Sequence, residues 1–405
     1  MFQSEKFALA QAAADPGHWL LDPGIAFLSH GVFGACPRPV LAIQNEWRER
    51  LERQPVQFLA RELETRVDAV RAALAAFINA NVDDLVLVAN ATAAVNTVVR
   101  SLVFQPGDEL LVTNYAYQGC RNAMEFAAER VGVKAVVARI PFPFRHEDDL
   151  VAPILEKVTS RTRLALIDHV TSQTGVLMPV ERLVRELKLR GVDTLVDGAH
   201  AVGMVPLDLK TLGAAYYAGN CHKWLCAPKG AAFLNVARDK QKSIRPLIIS
   251  NGANSLREDR SRFLIEFAWP GTWDPAACLS VPEAIRFMGS LLPGGWPEIM
   301  ARNRALALAA REILCDALRI NQPCPDEFIA SLAAIPLPDA ARDELPRLPV
   351  NEYPLQDILR EKYQIEVPII SWPAAPARVL RLSAQLYNSL PQYERVAKAI
   401  VEVLT

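Results

Sequence analysis

The sequence predicts an α/β fold, with a mostly parallel central sheet covered by helices and a smaller α+β domain after it. Three observations predict it. From about residue 68, helix-like and strand-like patterns alternate. The strand-like stretches are continuous apolar runs, as expected of strands covered on both faces. After Trp273 the alternation gives way to long helical patterns broken by a proline-rich stretch.

In chain order, "DAVRAALAAFI" has helical spacing, "DDLVLVAN" is a short β-branched run, and "ATAAVNTVVRSLV" is helical again. "DELLVTNYAY" predicts a strand, and "CRNAMEFAAERVG" a helix closed by Gly132. "KAVVARIPF", "TRLALIDHVTS" and "DTLVDGAHA" predict strands, separated by the helices "DDLVAPILEKVT" and "PVERLVRELKLRG". "AAYYAGN" and "AAFLNVA" are strand-like and flank "GNCHKWLCAPKG", which places Lys223 on a turn between two strands. "PAACLSVPEAIRFMGSLL" and "GWPEIMARNRALALAAREILCDAL" are long helical patterns, and "NQPCPDEFIASLAAIPLPDAARDELP" interrupts them. Residues 1–30 are expected to form an N-terminal arm, 31–286 a large domain and 287–405 a small C-terminal domain.

Composition narrows the function classes. With 51% hydrophobic and 22% charged residues the chain is globular, and a net charge of −1 gives no pull toward nucleic acid or a membrane surface. The start "MFQSEKFALAQAAADPGHW" lacks the pattern of a secretory signal. No stretch approaches the roughly 20 consecutive apolar residues of a membrane helix. Seven scattered cysteines argue against a disulfide framework and for a reducing, cytoplasmic setting. Cys221 and Cys226 lack zinc half-site spacing, so no metal is expected.

Ligands of doubly wound sheets bind beyond the carboxyl ends of the strands. Polar or aromatic residues stand there: Thr92, Tyr117, Ser172, Asp197 and His200. Thr92 opens a helix of small residues, either as a simple cap or as part of an anion site. Asp197 follows an apolar strand, so its carboxylate needs a cationic partner or a satisfied structural niche. Lys223, in an apolar and aromatic setting, loses hydration and becomes a Schiff-base nucleophile. A phosphate-binding helix end, a buried aspartate and a desolvated lysine together match the needs of pyridoxal 5′-phosphate. The lysine forms the imine, and the aspartate keeps the pyridine nitrogen protonated.

Five blocks, "NATAAVN", "DHVTSQTG", "DGAHAVG", "GNCHKWLCAPKG" and "RLSAQLYN", carry a resemblance. The chain resembles the class V branch of fold-type I pyridoxal-phosphate enzymes, most closely the isopenicillin N epimerase-like group, from about residue 27 to residue 388. The resemblance implies Lys223 as the Schiff-base lysine, Asp197 as the pyridine partner, and Thr92 and Ala93 at the phosphate. It places Asn220 and His222 on the phosphate side, Tyr117 on the ring, and Ser172 and His200 near the ring hydroxyl. "WPGTW" resembles the segment that reaches a neighbouring subunit's phosphate, through Gly271 and Thr272. Arg381 corresponds to the arginine that holds the substrate α-carboxylate. His30 and Trp372 are expected at the substrate, Trp372 and Trp224 having the alternative of plain core packing. Ser29 stands where relatives carry asparagine.

The resemblance implies a homodimer with shared active sites that acts at the α-carbon of an amino acid through an external aldimine and a quinonoid. Epimerisation is the first expectation, with a carbon–sulfur β-lyase or an aminotransferase as alternatives. A ligand-sensing module on this fold is disfavoured by the intact Lys223, Asp197 and Arg381. A cysteine desulfurase is disfavoured because "VPIISWPAAPARVLR", before Arg381, has no cysteine. The remaining cysteines are expected to pack as small hydrophobes.

Overall fold

The computed structural model describes residues 14–346 and 353–405. Its centre is a seven-stranded sheet of β1 (Leu85–Val88), β2 (Glu109–Thr113), β3 (Lys134–Ala138), β4 (Thr162–Asp168), β5 (Asp193–Asp197), β6 (Tyr216–Asn220) and β7 (Ala232–Val236). The spatial order is β1-β7-β6-β5-β4-β2-β3. Strands β3, β2, β4, β5 and β6 pair in parallel, and β7 is antiparallel to both its neighbours.

Side-chain alternation divides the core between the two faces of this sheet. Leu110, Val112, Leu164 and Leu166 pack with α3 (Ala91–Ser101) and α4 (Gln118–Val131). Leu111, Ala165 and Ile167 pack on the other side with α5 (Glu147–Leu155) and α6 (Val180–Leu189). Helix α6 shows why such segments are helical: it buries Val180, Leu183, Val184 and Leu187, one stripe at 3.6-residue spacing. With both faces covered, the strands read as unbroken apolar runs.

Helices α1 (Arg38–Arg53) and α2 (Leu63–Phe77) precede the sheet. After it come α7 (Arg262–Ala268) and α8 (Val281–Gly289), the latter packing on α1 and α2. Helix α9 (Gly295–Leu318) then packs on α11 (Leu390–Leu404) and on a three-stranded antiparallel sheet. That sheet comprises β8 (Leu332–Leu337), β9 (Ile369–Ser371) and β10 (Arg378–Ser383), with β10 central and α10 (Pro354–Tyr363) leading toward β9. Strand β8 lies inside the proline-rich stretch expected only to interrupt helices. It keeps Pro336 because β8 is an edge strand, where a missing N–H is tolerated. Pro282 near the start of α8 marks a second difference. The long helical pattern around it divides into Ala276–Leu279 and Val281–Gly289. The described part of the N-terminal arm pairs Ala26–Phe27 in parallel with Ile365–Glu366, tying it to the C-terminal portion of the chain.

Candidate active site

Three neighbouring strands end in polar residues: β4 in Asp168, β5 in Asp197 and β6 in Asn220. Asp168 and Asp197 are register partners, so two buried carboxyls stand side by side. Asp197 accepts from the Ala199 amide at 3.0 Å and from the Cys120 thiol at 3.1 Å. Asp168 has one oxygen 3.4 Å from the Tyr117 amide nitrogen and one without a partner among the described residues. Burial, and next the Asp197 charge, push the Asp168 carboxyl well above its usual range. Two adjacent carboxyls in a dry setting disfavour joint ionisation, which favours the protonated form of Asp168.

Lys223 sits on the turn that joins β6 to antiparallel β7. Two glycines let other segments of chain press against this turn. At Gly34, with φ of 73°, a Cβ would lie 2.2 Å from the His222 carbonyl oxygen. At Gly203, with φ of 84°, it would lie 2.7 Å from the Trp224 backbone. The Lys223 carbonyl accepts from His30 Nε2 at 3.1 Å and from the Cys226 amide at 3.0 Å. At the other end of the side chain, Nζ is 3.0 Å from His200 Nε2. Burial first, then the Arg381 charge, lower the Lys223 pKa to about 8, against the upward pull of Asp197, Cys120 and Asp168.

His30 departs from its expected place at the substrate. It is fully buried, with Nε2 on the Lys223 carbonyl and Nδ1 2.7 Å from the Tyr387 hydroxyl. Both nitrogens are engaged, and burial drops its pKa to about 3, so it is a neutral brace beneath the lysine turn.

At the start of α3 the cap is Asn90, not Thr92: its side chain accepts from the Ala93 amide at 2.8 Å. Asn220 accepts from the Ala91 amide, also at 2.8 Å. Two of the amides at this helix start are thus taken by asparagines, and Thr92 lies between them. His222 Nδ1 is 3.0 Å from the Ala231 carbonyl and must donate to it, so a neutral ring offers only an acceptor at Nε2.

Arg381, on β10, is buried, and a guanidinium N–H donates to the Ser172 carbonyl. It meets no carboxylate among the described residues, and its Nε has no partner there. Burial lowers its pKa to about 10. An unpaired buried guanidinium is a receptor for a carboxylate. Ser172 enters this geometry through its backbone, and Trp372 packs edge-on against Tyr115 at 4.8 Å. Tyr117 stands at the N-terminus of α4 and is 45% exposed.

Thr272 is exposed, and Gly271 has open space around it. Their neighbours Pro270 and Trp273 line a cavity of about 450 Å³ that also touches Ala93 and Thr97 of α3. All seven cysteines are free and buried. Cys120 goes beyond the packing role expected of it by donating to Asp197. No cluster of metal-ligating residues occurs among the described residues, and no helix there is long and apolar enough to cross a membrane.

Sequence reasoning missed Asp168, Asn90 and Cys120. Asp168 had a visible signal, because "LALID" ends as "TLVD" does. The partner of Cys120 comes from an element 77 residues away, which no local pattern reveals.

The donor set fits a phosphorylated pyridine aldehyde. It offers an amine of depressed basicity, a carboxylate at a strand end, an unpartnered carboxyl oxygen and an asparagine-lined helix start.

A family model described as "Aminotransferase class-V" matches residues 37–343. A probable chloroplastic L-cysteine desulfhydrase from Arabidopsis thaliana is 32% identical, with 94% of this chain and 83% of that protein aligned. An isopenicillin N epimerase from Amycolatopsis lactamdurans is 34% identical over 95% of this chain and 96% of its own. Among solved structures, a cysteine desulfurase from Escherichia coli superposes with a TM-score of 0.76 at 20% identity, covering 96% of both chains.

Proposed function

The chain belongs to the class-V aminotransferase family, a group of fold-type I enzymes whose cofactor is pyridoxal 5′-phosphate, and from that premise we propose that it eliminates a β-thiol from a cysteine-type amino acid. The observation that carries this reading is an amine lowered to about 8 at Lys223 together with an unpaired, buried guanidinium at Arg381. Arg381 grips the substrate α-carboxylate through paired N–H groups. Neutral Lys223 Nζ takes the α-proton and later returns it to the departing thiolate. When bound, the cofactor supplies an aldehyde for imine exchange and an electron-accepting ring. Asp197 holds the ring nitrogen's proton, Asp168 carries its own proton beside it, and His200 orients Lys223. Thr92, Ala93, Asn220 and His222 would hold the phosphate, and Tyr117 would contact the ring.

With L-cysteine, one water is consumed and the products are sulfide, pyruvate and ammonia. Elimination needs Lys223 alone as proton carrier. Epimerisation needs a second donor on the opposite face, a role that would fall to Tyr117. The similarity to an isopenicillin N epimerase favours this second reading. A persulfide on the enzyme itself has no support, because every cysteine is buried.

The proposal includes a homodimer in which Gly271 and Thr272 reach the partner's phosphate. The exposure of Leu247 and Ile248, which line the same cavity as Pro270 and Trp273, supports it. It also includes a division into residues 31–286 and 287–405 after the arm, and a cytoplasmic location suited to free thiols. Incubation with a panel of L-amino acids in heavy water tests the reaction. Sulfide and pyruvate from L-cysteine are expected. An α-deuterated enantiomer without sulfide would establish epimerisation instead, and a transaminated cofactor an aminotransferase.

A further inference from the structure

We infer that Trp224 is a positioning residue: its indole N–H fixes the tautomer of His200, so that His200 presents a proton to the Lys223 amine. The inference rests on the reading of Lys223 as the imine-forming lysine, and it concerns how this chain weakens that amine's hold on its proton.

An indole nitrogen only donates. Trp224 Nε1 lies 3.3 Å from His200 Nδ1, so Nδ1 must offer its lone pair. His200 is buried, and burial, followed by the Lys223 and Arg381 charges, holds its pKa well below the usual value. The ring is therefore neutral and carries one proton, which the indole confines to Nε2. That proton faces Lys223 Nζ at 3.0 Å. Nε2–H then donates to the lone pair of an uncharged amine.

The opposite arrangement, an ammonium donating to Nε2, would need the ring proton on Nδ1. Nδ1–H would then meet the indole N–H, and two buried donors would oppose each other. Trp224 thus disfavours the protonated lysine from two residue contacts away. The indole cannot swing aside easily. It is 1% exposed, its backbone is pressed by Gly203, and its ring lies 4.9 Å from that of His30. Around Lys223, the Arg381 charge acts in the same direction as His200, whereas Asp197, Cys120 and Asp168 act against it.

The rival role for Trp224 is plain filling of the cluster around Val170, Ala201, Met204 and Leu332. The test uses the cofactor-free protein, labelled with nitrogen-15 in histidine. Nitrogen shifts of His200 are expected to show Nε2 protonated and Nδ1 bare, and Trp224→Phe is expected to mix or reverse the two tautomers. In parallel, the pH dependence of Lys223 modification by acetic anhydride, read by peptide mass mapping, gives the amine's titration midpoint. That midpoint is expected to rise by about one unit or more in Trp224→Phe, because Nε2 becomes free to accept from an ammonium. A core-filling role would leave both readouts in place. A wild-type His200 protonated on Nδ1 would overturn the inference even if Trp224→Phe did not fold, and so would an unchanged midpoint in a folded variant. Borohydride mapping of the loaded protein to another lysine would end the functional reading without touching the tautomer result.

Discussion

Asp168 stands beside Asp197, and burial together with that neighbour favours its protonated form. A neutral carboxyl at pH 7 gives an infrared carbonyl band, and Asp168→Asn is expected to abolish it. Retention of the band would assign the proton elsewhere. Asp197→Asn is expected to leave the fold intact and to slow α-proton exchange by at least about 100-fold, read in heavy water. Lys223 has a lowered pKa, so its amine is half neutral at about pH 8 and increasingly protonated below that. The rate at which cofactor-free protein takes up pyridoxal phosphate is therefore expected to level off above about pH 8. It should fall close to tenfold for each unit well below that point, and Lys223→Ala should remove the borohydride-reducible link. Arg381→Ala is expected to raise KM for carboxylate substrates by roughly 10- to 100-fold, with little change for a decarboxylated analogue. At this scale the sequence exposes residues whose chemistry is local. Asp197 stands out because a charge abruptly ends an apolar run, and Lys223 because it sits among apolar and aromatic residues on a turn between strands. The bracing of His30 depends on Tyr387 and Lys223, each far away in the chain, so its role emerges only when they meet.

The turn between β6 and β7 is the element that positions the lysine, and it is held by pressure from two other segments. Gly34→Ala puts a methyl 2.2 Å from a carbonyl oxygen at a positive φ, so either the turn or the segment around Gly34 must move. A loss of at least about 2 kcal/mol is expected in denaturant unfolding, together with slower cofactor uptake as the lysine drifts. Unchanged stability would show that the close approach at Gly34 is not needed to hold the turn. Elements were legible where one periodicity ruled. The fully buried strands and amphipathic α6 announce themselves. Strand β8 did not, because Pro336 reads as a breaker until its place at a sheet edge is known.

In the whole molecule, the proposed dimer has each active site completed by Thr272 of the neighbouring subunit. Thr272 is exposed, while Lys223 lies in a turn packed against the arm. Mixing Lys223→Ala with Thr272→Asp protein under conditions of subunit exchange is expected to restore part of the activity, since one hybrid site keeps both residues. Sedimentation as a monomer would rule out sharing. The thiols carry a different consequence. Each of the seven is buried in the folded chain and none is tied in a disulfide, so a maleimide finds no partner until the structure opens. Counting labelled cysteines by intact mass over time therefore turns the chain into its own clock of local opening. Because the thiols are spread from Cys36 to Cys324, the order in which they become labelled maps which layer loosens first.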